Sequence, residues 1–397
     1  MQLGFVHFDR SDQKKYLEVL SRLSEGGAID ELGIGRIRDF YSDLMFPGIS
    51  TLHQHAKYFS LMPLLYRQAV KSYKYYRLED VRPAIRNLEI EMTRRLCEGS
   101  PGAYGITGSD SLQSGNYVKY DPAYIYGTAL RTYGIVRTEN LESAIFHASK
   151  KYHERPVKLS ATDQEQGDSD DLDSVFSFCV CPSDLKDNWP TELSLELTPN
   201  EASFVRDHIL YAPACKNTLL QYILENKLFL RDDEAPSLES FLALHENSIP
   251  EKLKHDIFLA TRFSDLVDGL FLYYNWLFSE KEDTKVWEEF LSWREDVFFP
   301  EREAMMESVV QSKISDNGPK TFCQKAIGLI ESEDWTEMDR LVKNRERSIK
   351  GSRYKIGNAK GGYHYEEMGR IHGYKVDFRW GKVRTLVNEI LGGLGDE

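Results

Sequence analysis

Residues 30–74 read DELGIGRIRDFYSDLMFPGISTLHQHAKYFSLMPLLYRQAVKSYK, a dense, punctuated stretch whose periodicity decides the fold class. Asp30 opens a short helix that must end near Phe46-Pro47-Gly48, a turn signal. Thr51 can cap a second helix reaching about Tyr73. Within it Leu52, Ala56, Phe59, Met62, Tyr66, Val70 and Tyr73 recur at spacings of three and four, so they share one buried face. His53, Lys57, Ser60, Leu64, Arg67, Lys71 and Lys74 form another stripe, expected to be mostly solvated. Pro63 removes a backbone hydrogen bond and clashes with the preceding turn at a cost of about 3 kcal/mol, so a kink or a pair of helices is expected there.

The helical pattern recurs outward from this stretch. Helices are expected at 78–97, 199–210, 215–225, 237–246, 250–279, 284–312, 320–331, 335–349 and 380–391. Another begins at Pro122, a favoured first position, and stops at Gly134; Thr138 caps the next, 139–153. That pair, joined tightly, resembles a winged-helix-like element. Residues 3–8 alternate like a strand, and 103–120 read as turns with room for a hairpin. Residues 156–175 contain QEQGDSDDLD, too acidic and too poor in apolar groups to build a core. The expected fold is mainly α: a multi-helix, two-domain protein with a few short strands. Residues 1–155 form the N-terminal domain, 156–175 an acidic loop or boundary, and 176–397 a helical domain with a basic end.

The net charge of −13 argues against indiscriminate nucleic-acid binding, but its distribution is uneven. Residues 340–384 hold 13 basic and 4 acidic side chains, and residues 36–95 hold 11 and 6. Two basic regions therefore sit on an acidic remainder. The longest apolar run, 266–278, is interrupted by Asp268 and Asn275 and is too short to span a bilayer, so no membrane contact is expected. The start, MQLGFVHFDRSD, lacks the basic and apolar regions of a signal peptide, and the five scattered cysteines fit a reducing compartment; a cytoplasmic location is expected.

Few motifs carry chemistry. There is no GxxxxGK[ST] loop, and Gly33-Ile34-Gly35 is too short for a dinucleotide fingerprint. Cys179 and Cys181 are too close for a zinc knuckle and lack a completing pair; two partly buried thiols on a strand are expected. His53 and His55 are two apart and do not face each other on a helix, and His53 is expected at the surface. Arg262, Asp265 and Asp268 lie one turn apart on a helix apolar nearly all round, which predicts a buried ion-pair network more readily than a divalent-ion site. Glu366, Glu367 and Asp377 offer a second carboxylate group, with D-x-R where a metal nuclease shows acid-x-Lys.

The strongest binding signal is C-terminal. Lys343, Arg345, Arg347, Lys350, Arg353, Lys355 and Lys360 interleave with Tyr354, Gly351, Gly357 and Gly361-Gly362; Tyr363, His364, Tyr365 and Arg370 follow, then Arg379-Trp380 and Arg384. Cations neutralise phosphates, glycines admit close approach of backbone, and rings stack on unpaired bases. Arg36, Arg38, Lys57 and Arg67 are the N-terminal candidates for the same role.

Residues 31–39 (ELGIGRIRD), 44–51 (LMFPGIST) and 56–59 (AKYF), then 260–264 (ATRFS) and 274–277 (YNWL), then 377–380 (DFRW), together resemble a bacterial family known only as a domain of unknown function. The resemblance implies a place among anti-phage and restriction-like gene clusters, beside helicases and phospholipase-D-type nucleases. It implies no catalytic residue, cofactor or metal. Residues 53–57 (HQHAK) depart from the pattern, with His55 and Lys57 where arginines are expected. The expected function is a non-catalytic accessory subunit of a defence system. It would contact nucleic acid, DNA first, through the basic residues and a helicase or nuclease through the acidic remainder. The alternatives are a divalent-metal nuclease and a pure protein–protein scaffold.

Overall fold

A computed structural model of the chain describes residues 31–114, 118–154, 174–185, 192–371 and 376–395. It is mainly α, and among the described residues the strand pairing is one isolated antiparallel bridge, Val136 to Cys179. The expected strand at 3–8 and nearly all of the acidic segment 156–175 lie outside the described residues. Part of the expected hairpin is instead a short helix, Ser109–Ser114. The chain divides into two compact units, each assembled from separated segments.

One unit comprises residues up to Met45 together with Asp233–Trp380. Its axis is the 28-residue helix Glu251–Phe278, buried on most sides as a pattern apolar nearly all round requires. Thr284–Trp293, Phe299–Gln311, Gly35–Met45 and Leu238–His245 surround it. Arg262 is bridged to Asp265 at 2.9 Å and to Glu301 at 3.1 Å, the ion-pair network the spacing predicts. Gly269 is required by Trp293: a Cβ there would lie 2.2 Å from the indole. That indole is fixed by donating to the Asp265 carbonyl at 3.0 Å. Tyr273, one turn on from Gly269, joins Trp287, Phe290 and Trp335 in an aromatic cluster with centroids 5.2–6.3 Å apart, and Phe290 continues it onto Trp293. The expected continuous helix 284–312 is interrupted by a π turn, Arg294–Phe298. Pro300 explains it: lacking an N–H and crowding the carbonyl four residues back, it forces the preceding turn to widen.

The other unit comprises Phe46–Asp232 and Gly381–Glu397. Lys57–Ser72 is its centre, with Val81–Gly99, Pro122–Thr132, Leu141–His153 and Pro199–Tyr211 against it. The helix starts at Lys57, not after Thr51, because tertiary groups hold residues 50–56 in turns. His53 N–H bonds the Ser50 carbonyl at 3.2 Å, and the His53 ring stacks on Tyr126 at 4.6 Å. The Ala56 N–H is taken by the Glu389 carboxylate at 2.6 Å, a cap supplied from the helix Trp380–Gly393. One helix runs through Pro63 rather than two. The stripe expected to be solvated is largely buried: His53, Lys57, Ser60, Leu64 and Arg67 are each under 10% exposed. Asp121 caps Pro122–Thr132 by accepting from Tyr124 N–H at 3.0 Å, with Pro122 in the first turn as predicted. Asn140, not Thr138, caps the next helix, accepting from Ser143 N–H at 3.0 Å.

Candidate nucleic-acid interface

The helix Trp335–Lys350 buries Met338, Val342 and Glu346 and stops where Gly351 turns to φ +54°. A 3-10 turn, Gly351–Arg353, follows, then a second, Ala359–Gly361, closed by Gly362 at φ +80°. Only glycine takes such angles freely, and a Cβ at Gly351, Gly357 or Gly362 would meet nothing within 4 Å. These glycines therefore serve the turn, not the packing, and they leave the backbone open outward.

The loop is held from beneath by two buried carboxylates. Glu346 is fully buried and accepts from Lys355 N–H at 2.8 Å, Ile356 N–H at 3.1 Å and the Tyr274 hydroxyl at 2.5 Å. Burial, then the charges of Glu346 and Glu31, push the Tyr274 hydroxyl far above its ordinary range, so it stays a donor. Glu31, 3% exposed, binds the ammonium groups of Lys350 at 3.1 Å and of Lys355. Asn358 donates to the Tyr354 carbonyl at 2.8 Å and the Ser352 carbonyl at 3.3 Å, knotting the loop on itself.

What this frame presents is cationic. Arg347, Arg353 and Lys360 are exposed and make no ion pair among the described residues. Arg347 lies over the half-buried Tyr354 ring, 5.0 Å from its centroid. Lys343, one turn before Arg347, is half exposed and only 3.9 Å from Asp339.

The other ten candidates are engaged within the fold. In the same unit, Arg345 donates to the carbonyls of Leu32 at 2.8 Å and Gly33 at 2.9 Å, and burial lowers its pKa. Lys350 and Lys355 hold Glu31. Arg38 is buried against Asp39 at 2.7 Å, and Arg36, half exposed, faces Asp316 at 3.4 Å. Arg370 binds Glu289 at 2.7 Å and Asp283 at 3.6 Å; Arg379 binds Asp43 at 2.7 Å and Asp39 at 3.7 Å. In the other unit, Lys57 is buried against Glu201 at 2.6 Å and the Glu196 carbonyl at 2.8 Å. Arg67 is buried 4.1 Å from the Phe176 centroid, and Arg384 pairs with Asp232 at 2.6 Å. Sequence reading passed over Glu346 and Glu31, which shape the loop. The signal for Glu346 was a lone acid inside the basic run NRERSIK.

The carboxylates weighed for metal chemistry are dispersed. Asp265 is paired with Arg262, Glu366 and Glu367 are exposed on Tyr365–Met368, and Asp377 accepts from Arg379 N–H at 3.0 Å. Among the described residues no group of three or more His, Cys, Asp or Glu is placed to hold a metal ion. His53 is a buried core residue, not a surface one. Both nitrogens of the His55 ring face acceptors, Glu389 at 2.7 Å and the Tyr104 carbonyl at 2.7 Å. Burial opposes its charge, but those bonds win and raise its pKa. Cys179 and Cys181 are buried free thiols, and burial first, then the neighbouring thiol, raises the Cys179 pKa. Among the described residues no helix is long and apolar enough to cross a membrane.

No curated protein and no solved structure matches the chain. The model of one family, described as a family of unknown function (DUF6361), matches residues 1–284. The DFRW segment and the basic loop lie beyond the matched residues, which nonetheless span well over half of the sequence. The chain thus belongs to DUF6361, a family of unknown function.

Proposed function

We propose that this protein is a non-catalytic accessory subunit of a bacterial anti-phage defence system that holds nucleic acid, DNA in the first instance, on its basic loop. The defence role is supported by the family resemblance in the sequence. The contact is supported by one observation: Arg347 in the last turn of its helix, and Arg353 and Lys360 on the loop that follows, stay exposed while two buried carboxylates tie that loop down. A tethered loop loses little conformational freedom on binding, so its cations contribute more of their attraction to affinity. The acidic remainder would dock a partner such as a helicase or nuclease.

Labelled DNA, titrated with the purified protein across a salt series and followed by fluorescence anisotropy, tests the reading. Four contacts, counting Lys343, give a slope of log K against log salt of roughly −3 to −4; all fourteen candidates would give about −10 or steeper. The triple variant R347A/R353A/K360A should lose most of the binding while melting like the wild type. Absence of binding at low salt, or undiminished binding by the triple variant, overturns the proposal.

A further inference from the structure

We infer that the loop takes a single strand rather than a duplex, with a base stacked against Tyr354. The inference rests on the nucleic-acid reading above and specifies its ligand. Duplex binding by backbone charge needs many cations along a broad face, and the loop with the helix end before it turns few outward: the half-exposed Lys343 and the exposed Arg347, Arg353 and Lys360. A few phosphate contacts give weak, salt-sensitive affinity, so another source of binding is needed. Tyr354 provides it. Its half-buried ring lies under the Arg347 guanidinium, 5.0 Å from the ring centroid, and the exposed Arg353 precedes it in the chain. Its backbone is fixed by Asn358 at 2.8 Å. Arginine and tyrosine planes so placed form a platform for an unpaired base, whereas the bases of a duplex are already stacked on each other. Gly351 and Gly357, three residues to either side of Tyr354 in the chain, carry no side chains that would block a strand, and a Cβ at either would meet nothing within 4 Å.

The test compares single-stranded and duplex oligonucleotides of equal length, for the wild type and for Tyr354→Phe and Tyr354→Leu. The single strand should bind more tightly. Tyr354→Phe should retain that affinity, Tyr354→Leu should lose about tenfold on the single strand, and duplex binding should not change. A strand with abasic sites keeps the phosphates and removes the bases, so it should lose affinity to the unaltered protein by a similar factor, whatever the variants do to folding. Duplex bound as tightly as single strand, or an abasic strand bound as tightly as the intact one, overturns the inference and leaves the nucleic-acid reading standing. No binding of either form overturns that reading as well.

Discussion

Replacing Glu89 with glutamine should stabilise this protein, and the gain should grow with pH. Glu89 lies on Val81–Gly99 with no exposed surface. One carboxyl oxygen accepts from Ala123 N–H at 2.7 Å; the other has no partner among the described residues, and neither has the buried Tyr66 hydroxyl. Burial first and the nearby Asp121 charge second raise the Glu89 pKa from 4.5 to about 8, against the opposing pull of Ala123 N–H, Arg82 and Arg86. The sign follows from where the proton goes. Unfolded, the carboxyl ionises above pH 4.5; folded, it holds its proton to about pH 8, so between those values the native state binds more protons and stability falls as pH rises. At 1.36 kcal/mol per unit the cost is near zero below pH 4.5, about 3 kcal/mol at pH 7 and at most about 5 kcal/mol above pH 8. Glutamine keeps the shape and the acceptor for Ala123 and has no proton to lose. Urea midpoints of wild type and Glu89→Gln, taken at pH 5, 7 and 9, should separate progressively. A difference that is constant with pH, or one that favours the wild type at pH 9, would refute the reasoning.

Gly269→Ala should destabilise the unit built on Glu251–Phe278, because its Cβ would meet the Trp293 ring at 2.2 Å. Overpacking of roughly 1–3 kcal/mol outweighs the roughly 1 kcal/mol alanine gains as a helix former, so the denaturation midpoint should fall and Trp293 emission should shift red. Lys57→Ala leaves Glu201, 1% exposed, without its cation and should cost about 3–5 kcal/mol by chemical denaturation. The double variant Lys57→Met/Glu201→Leu should recover only part of that loss, because Glu201 also accepts from the Ser60 hydroxyl and from Thr198 N–H, and neither should alter the salt slope of DNA binding.

The helices were legible because their apolar spacing is local. The long helix was expected at 250–279 and runs Glu251–Phe278; the helix after Asp121 was read from Pro122 at its start and Gly134 at its stop. Errors came where a distant group decides the matter. Nothing near Thr51 shows that Glu389 will take the Ala56 N–H and set the helix start. Burial of the Lys57 and Arg67 stripe needed Glu201 and Phe176, both more than 100 residues away. The π turn is the exception, since Pro300 stands in the sequence and its effect on the preceding turn could have been read.

The same distinction governs the site. A basic residue is visible in a sequence, whereas the carboxylate that neutralises it is visible only in the fold. Arg379 and Arg353 are alike in composition terms, yet Arg379 meets Asp43 and Asp39, whereas Arg353 pairs with no acid among the described residues. Counting charge along the chain therefore measures how many cations a fold must satisfy, and only those left over can serve a ligand. Of the fourteen candidate cations, those left exposed without an ion pair among the described residues, Arg347, Arg353 and Lys360, lie at the end of one helix and on the loop after it, and the buried acids Glu346 and Glu31 fix that loop's shape. Glu346, by binding the loop's backbone, and Glu31, by binding Lys350 and Lys355, lower the net charge without covering the outward residues. Binding should accordingly be lost when Glu346 is removed even though the positive charge rises, the opposite of what a purely electrostatic tail would do.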